Sequence, residues 1–479
     1  MSYFWDYSNP KLVDVELIDA YSSTIYDYSS FSKIIEYFQK IFIFSKKSLI
    51  TLLCDNSPIN ISCYLAALRS GHTVQLINSS TDTKLVKEII QIYKPEVLIF
   101  PSKSEISLNN YFEIQSDFQE IKILKQASEI HSEIYSDTAL LLSTSGTTGS
   151  PKFVRLSYNN INSNAESIAE YLEISNKETA ITSLPMSYSF GLSVINSHLL
   201  AGGKIICTNE SFAQKGFWSA FKDHECTSFA GVPYNYFMLE KLRFERMDLP
   251  SLRTFTQAGG RLSPDKIEYF CRIAEIKDKR FFVMYGQTEA TARISYIPYS
   301  NLSNKIGSVG IPIPKGKIEI INNDKLVQVG EIGEVQYSGP NVMLGYAESR
   351  ECLTKSDELH GVLKTGDLGY IDTDGYLFIT GRTKRFIKLL GQRINLDDVE
   401  KMLELRISSL VGCLPIDDVL KIVIESNKSG IESEVKSFIS EIYGLHHSLI
   451  NIYYTKEIPV SASGKKDYQA MKELINNGK

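Results

Sequence analysis

No CxxC pair occurs among the seven cysteines, Cys54, Cys63, Cys207, Cys226, Cys271, Cys352 and Cys413, so neither a zinc site nor a disulfide framework is expected. Thiols spaced this widely suit a reducing cytoplasm. The sequence also lacks a face-sized run of Lys or Arg, and its net charge is only -5, which removes the electrostatic footprint of a nucleic-acid partner. No run of about 18 uninterrupted apolar residues is present, and the opening MSYFWDYSNPK has no basic region leading into an apolar one, so neither a membrane span nor a secretory signal is expected. There are no internal repeats and no low-complexity tracts.

What is present is ordinary globular material, 43% hydrophobic and 22% charged, over 479 residues, a length that exceeds what one core organises. At least two domains are therefore expected. From Ser48 to Phe100 the segments SLITLLC, NISCYLAALRSG, HTVQLIN, DTKLVKEIIQIYKP and EVLIF alternate apolar runs with amphipathic stretches. That rhythm predicts strand, helix, strand, helix, strand, with parallel strands covered on both faces. ETAITSLP, GGKIICTN, CTSFAGVP and KRFFVMYG repeat it. After about Gly307 short strands with glycine turns take over, and DTDG in GYIDTDGYLFITGR marks a hairpin. Beyond Arg382, LDDVEKMLELRISS, DVLKIVIES and SEVKSFISEIYG read as helix, strand, helix. The expected architecture is α/β: a large N-terminal body of layered sheets with a β-rich subdomain, residues 1–383, and a small mobile α+β C-terminal domain, residues 384–479.

The chemistry concentrates in LLLSTSGTTGSPK, Leu140 to Lys152, where a strand end runs into hydroxyls, glycines and a lysine. Glycines let backbone amides turn toward an anion, hydroxyls add donors, and Lys152 adds a point charge. The Walker spacing GxxxxGK[ST] is not met, so a P-loop NTPase is disfavoured. Taken alone, the segment reads equally as a Ser/Thr/Gly linker.

Four further segments accompany it in order: TyrGlyGlnThrGlu at Tyr285 to Glu289, ThrGlyAsp at Thr365 to Asp367, GRTKRFIKLLGQRINLDDVE from Gly381, and PVSASGKK from Pro459. Together they resemble the acyl-adenylate-forming superfamily of acyl-CoA synthetases, peptide-synthetase adenylation domains and firefly luciferase, and come closest to acyl-CoA or acyl-carrier-protein ligases. The resemblance runs from about Ser48 to Tyr468.

The resemblance implies roles for particular residues. The phosphate loop is Thr144, Ser145, Gly146, Thr147, Thr148, Gly149 and Lys152. Tyr285 stacks on adenine, with Gly286 beside it in the motif; Thr288 contacts the α-phosphate and Glu289 coordinates Mg²⁺. Asp367 takes the ribose hydroxyls, Arg382 contacts ribose or phosphate, and Lys465 bridges carboxylate and phosphate, whereas its neighbour Lys466 is expected to matter little to adenylation. Gly259 and Gly260 of QAGGRLSP form the glycine strand between adenine and substrate. Tyr188 and Gly191 of LPMSYSFGLS lie at the acid pocket; a histidine is frequent at the first position, and peptide-synthetase domains carry an aspartate at the second for a substrate ammonium. Lys384 is the hinge, and Lys388, Gly391 and Arg393 belong to the loop that serves the second half-reaction.

The implied reaction is ATP- and Mg²⁺-dependent conversion of a small carboxylic acid to an acyl-adenylate, with pyrophosphate released. The acyl group then passes to coenzyme A or to the phosphopantetheine of a separate acyl carrier protein. An amino-acid-activating enzyme and a non-catalytic nucleotide-binding relative are the alternatives; the absent aspartate speaks against the first, and Glu289 and Lys465 speak against the second.

Overall fold

The computed structural model describes residues 3–477 apart from 129, 131, 144–151, 383–384, 390–391, 417–418, 427–429 and 462–464. The chain forms two compact units, Met1–Lys317 with Ser338–Leu363, and Ile318–Tyr337 with Lys364–Lys479.

In the first unit, β1 (Leu49–Cys54), α1 (Pro58–Arg69), β2 (Thr73–Asn78), α2 (Thr83–Tyr93) and β3 (Val97–Pro101) realise the alternation expected between Ser48 and Phe100. Every residue of β1 is buried, as a strand covered on both faces must be, and β1 pairs in parallel with β2 and β3. Ser57 caps α1 by accepting from the Asn60 N–H, and Pro58 occupies the first turn, where its missing N–H costs nothing. After the strands Tyr111–Ile114 and Ile121–Gln126 come β4 (Thr138–Ser143) and β5 (Phe153–Ser157), an antiparallel pair. They complete an eight-stranded sheet whose edge beyond β5 is the short strand Gly345–Ala347.

Farther along are α3 (Tyr158–Tyr171), β6 (Thr179–Ile181), α4 (Ser189–Ala201), β7 (Lys204–Cys207), β8 (Ser228–Gly231), β9 (Thr254–Gln257) and β10 (Arg280–Tyr285). The strands form the parallel heart of a nine-stranded sheet in the order β10-β9-β8-β6-β7. Period-two alternation splits its faces. Phe229, Phe255 and Phe281 stack on one face, with ring centroids 5.7 and 4.8 Å apart. Ser228, Ala230, Thr254 and Thr256 occupy the other, facing Ser193 and Ser197 of α4 across a cavity.

The second unit holds the β-rich segment, whose strands Val362–Ile371 and Leu377–Arg382 form the expected hairpin. At its tip the Gly375 N–H donates to the Asp372 carbonyl at 3.0 Å, and Gly375 has φ +84°, which a glycine adopts without strain. The segment read from sequence as a loop after the hinge instead contains a second hairpin, Phe386–Leu389 against Gln392–Asn395. Helices Leu396–Ile407 and Glu432–Tyr443 pack Val399, Leu403, Val435 and Ile439 onto a three-stranded sheet that includes Val419–Glu425.

Candidate active site

The strand β10 ends at Tyr285, and Gly286 turns the chain back on itself. A Cβ at Gly286 would lie 1.9 Å from the Ala292 carbonyl oxygen, so only glycine permits the approach. A single 3-10 turn, Thr288–Ala290, follows, and it closes through Thr291 at φ +56° and Ala292 at φ +120°. Such backbone persists only where surrounding structure over-determines it. Here the buried Asn341 does so: its Nδ2 donates to the Ala290 and Arg293 carbonyls at 2.7 and 2.8 Å, while Thr291 Oγ1 donates to the Asn341 carbonyl at 2.6 Å. The Met343 N–H adds a bond to the Glu289 carbonyl at 2.9 Å.

This frame presents Thr288 and Glu289. Thr288 Oγ1 lies 3.2 Å from Ser189 Oγ at the start of α4, both groups buried. Glu289 Oε1 accepts from the Tyr346 hydroxyl at 2.9 Å. Burial first, and then the adjoining Glu289 charge, push the Tyr346 phenol well above its ordinary pKa, so it stays a donor at neutral pH. Tyr346 is carried by the edge strand, opposite Val154 of β5. The fully buried Arg155 secures that edge, pairing with Glu358 at 2.6 Å and donating to the Tyr346 and Leu344 carbonyls at 3.3 and 3.4 Å. Across the Tyr346 ring stands Lys152, its Nζ 3.6 Å from the centroid and 3.6 Å from a Glu348 carboxylate oxygen. One tyrosine thus joins the lysine that ends the glycine- and hydroxyl-rich segment to the Thr-Glu motif, 136 residues (288 less 152) farther along. Thr144, Ser145, Gly146, Thr147, Thr148 and Gly149 lie outside the described residues.

Beside this cluster, Asn56 shapes the turn before α4: its Oδ1 accepts from the Met186 N–H at 2.9 Å and its Nδ2 donates to the Leu184 and Thr208 carbonyls at 3.1 Å. The turn delivers Tyr188, whose hydroxyl would stand 2.6 Å from a Cβ placed on Gly259, itself at φ +82°. Burial pushes the Tyr188 pKa up to about 12, with the Arg293 charge opposing. Gly260 is fixed through its carbonyl, which accepts from Gln257 Nε2 at 2.9 Å. Gly191 faces backbone instead: a Cβ there would meet the Pro185 oxygen at 2.2 Å and the Leu184 oxygen at 2.7 Å. An aspartate does not fit at this position without moving the turn.

In the second unit the hairpin register sets Asp367 opposite Arg382, and Arg382 Nε donates to Asp367 Oδ1 at 3.0 Å. Asp367 is nearly buried, whereas the Arg382 side chain is 60% exposed and so able to reach a ligand. Thr365 holds the bend, donating through Oγ1 to the Val335 carbonyl at 2.8 Å and accepting the Asp367 N–H at 3.1 Å. Near the C-terminus the Ser461 N–H donates to the Lys465 carbonyl at 2.7 Å, and Lys466 bridges Val460. Lys466 Nζ is committed to Glu400 Oε2 and Glu404 Oε1, each at 2.8 Å, and to the Val411 carbonyl at 2.5 Å. Lys388 lies on the second hairpin opposite Arg393. Lys384 and Gly391 lie outside the described residues.

Residues 36–347 match the AMP-binding enzyme family, 312 of 479 positions (347 less 35). The chain belongs to that family. It is 27% identical over 352 residues to the luciferin 4-monooxygenase of Nipponoluciola cruciata, covering 70% of this chain and 63% of that protein. It is 30% identical over 364 residues to a probable 4-coumarate–CoA ligase of Dictyostelium discoideum, covering 72% and 64%. The chain thus spans less than two thirds of these relatives' lengths. Among solved structures, the o-succinylbenzoate CoA synthetase of Bacillus subtilis, in complex with its acyl-adenylate intermediate, shares the fold at a TM-score of 0.77, 21% identity and 98% coverage of both chains.

Several residues of this family member's site carry no motif of their own: Asn341, Tyr346, Arg155 and Arg293. Each acts across 48 to 203 positions, beyond any local pattern. A divalent cation fits the donor set. Glu289 supplies a hard carboxylate oxygen with no ion-pair partner among the described residues, next to the Thr288 hydroxyl. The described residues hold no group of three His, Cys, Asp or Glu able to bind a metal, so an ion at Glu289 needs further oxygens from phosphate and water, as magnesium ordinarily takes them.

Proposed function

We propose that this protein activates a carboxylic acid with ATP, releasing pyrophosphate and forming an acyl-adenylate, and then transfers the acyl group to a thiol. The observation that carries the reading is the linkage of Lys152 through Tyr346 to Glu289. Two anions, a carboxylate and a triphosphate, must meet in this reaction, and fixed charges and donors stabilise the charge that builds up as they do. Magnesium bound at Glu289 and the phosphates would supply part of that neutralisation. Tyr346 orients the Glu289 carboxylate, Ser189 orients the Thr288 hydroxyl toward the α-phosphate, and Lys152 with residues 144–149 receives the outgoing phosphates. Tyr285 provides the aromatic face for adenine, with Gly259 and Gly260 leaving room for backbone to approach. Asp367 receives the ribose hydroxyls, steadied by Arg382, and Lys465 bridges the two reacting groups.

By resemblance, residues 384–479 turn about Lys384 against residues 1–383, so that Lys465 serves adenylation and Lys388 with Gly391 serves thiol transfer. Coenzyme A is the acceptor favoured by the names of the CoA-ligase relatives; a carrier-protein phosphopantetheine is the other thiol of the same chemistry. The setting is cytoplasmic, in keeping with the unpaired thiols, and no helix among the described residues is long and apolar enough to cross a membrane. The test is pyrophosphate release across a panel of acids, repeated with coenzyme A and with a carrier protein. Release that depends on an added acid supports the reading, and hydrolysis independent of any acid overturns it.

A further inference from the structure

Between α4 and the hydroxyl-bearing face of β8 and β9 lies a cavity of about 30 Å³. A space of that order takes one small polar group, such as a carboxylate, rather than a whole ligand. Its lining includes Ser193 and Ser197, one helical turn apart, Thr254 and Thr256, alternate residues of β9, and Arg293.

Arg293 is only 2% exposed. Its Nη1 reaches the Ala292 carbonyl at 3.3 Å, its guanidinium lies 4.0 Å from the Phe190 ring centre, and its Nε has no hydrogen-bond partner. The neutral Tyr171 hydroxyl hydrogen-bonds the guanidinium and also lies 3.0 Å from Met284 Sδ, and Tyr188 is a second neutral phenol beside it. No carboxylate lies within ion-pair distance of Arg293 among the described residues. The other charged groups lining the cavity are matched: Glu178 with Arg253 at 3.2 Å, Arg280 with Glu173 at 2.7 Å. His198 Nδ1 meets the Val194 carbonyl at 2.8 Å.

A buried guanidinium without an anion is a costly feature, since nothing repays its desolvation. It is nonetheless held in place by the Thr291–Ala292 turn, which Asn341 clamps from two sides. Arg293 also adjoins the chemistry: Phe190 follows Ser189, whose hydroxyl meets Thr288.

We infer that Arg293 is the anchor for a second negative group on the substrate, so that the acid activated here is a short dianion such as a dicarboxylic acid. One carboxylate lies at the Thr288 end for adenylation, and the other pairs with the guanidinium inside the cavity; the Ser193 and Ser197 hydroxyls already donate to the Phe190 and Val194 carbonyls, so the guanidinium carries the recognition. Bidentate pairing of arginine with a carboxylate supplies both charge and geometry.

The inference rests on the adenylation reading, and calorimetric binding of unreacted acids separates the two. The probes are matched pairs, butanedioate against butanoate and benzene-1,2-dicarboxylate against benzoate, titrated into the whole chain and then assayed for pyrophosphate release. The expected result is that at least one diacid binds about 10- to 100-fold more tightly than its monoacid. Arg293→Met should abolish that preference and Arg293→Lys should keep part of it. Equal binding within every pair by the unaltered protein, or an undiminished preference in a folded Arg293→Met protein, would overturn the anchor. Diacid preference without pyrophosphate release would uphold the anchor and overturn the adenylation reading instead; release with monoacids alone would do the reverse.

Discussion

The turn at Tyr285–Arg293 and the segment Val460–Tyr468 both present a charged side chain proposed for catalysis, yet they are built by different physics. The first is a backbone construction. Gly286, the positive-φ pair Thr291 and Ala292, and the amide of Asn341 fix the chain, and Glu289 is left with a neutral partner, the Tyr346 hydroxyl. The second is an ionic construction. Lys466, Arg385 and the Tyr468 hydroxyl converge on the buried Glu400, at 2.8, 2.6 and 3.0 Å, and Lys465 is the residue next door. The lesson is that neighbouring residues of one motif can divide the work: Lys466 holds the segment through its ion pairs, and Lys465 is the one proposed for catalysis.

That division is broken most severely at Lys465. Lys465→Ala is expected to lose about 10²-fold or more in acyl-adenylate formation with ATP binding retained, because a preorganised charge acts chiefly on the transition state; single-turnover kinetics with an ATP titration measure both. Lys466→Ala should behave oppositely. It leaves Glu400 and Glu404 without their ammonium, and breaking a buried pair costs about 3 kcal/mol or more, so the unfolding midpoint should fall while the folded fraction keeps its adenylation rate. The expectation that Lys466 matters little concerns adenylation alone; its ion pairs give it a separate part in stability.

A smaller effect tests the first construction. Tyr346→Phe removes one hydrogen bond to Glu289, worth about 0.5–1.5 kcal/mol, or about 2- to 10-fold in pyrophosphate release. The loss should shrink at saturating magnesium if the tyrosine acts by orienting the metal ligand. A loss unchanged by magnesium would place the role of Tyr346 elsewhere, in its contact with Lys152.

The smallest effect concerns a support far from either motif. Lys47 donates to the Gly71 carbonyl and the Tyr158 hydroxyl, each at 2.8 Å, and burial lowers its pKa to about 7. Its ordinary value is near 10.5, so between pH 7 and about 9 the unfolded chain binds more protons at this group than the folded one. Stability should therefore rise with pH across that window, and Lys47→Met should flatten the slope; chemical denaturation at three pH values reads it.

Much of this was legible in the sequence because it is local. The strand-helix rhythm from Ser48 to Phe100 is a matter of periodicity, and the Asp372–Gly375 turn is a matter of glycine. Thr288, Glu289 and Asp367 are singled out by the resemblance of their motifs to the family's. What stayed hidden depends on distant partners: the pairing of Gly345–Ala347 with β5 that brings Tyr346 to Glu289, the Asn341 clamp, and the isolation of Arg293 from any carboxylate. Gly191 shows the same limit from the other side. The sequence marks a missing aspartate, and the packing of its α-carbon against Leu184 and Pro185 supplies the reason.

The central claim is tested most directly by following ATP and pyrophosphate with a carboxylic acid and with its α-amino analogue of equal chain length. The account predicts acid-dependent pyrophosphate release, a trapped acyl-adenylate when no thiol is present, and a clear preference for the acid without the ammonium. Preference for the amino form would contradict the reading of the pocket, and no acid-dependent release from any substrate would contradict the claim itself.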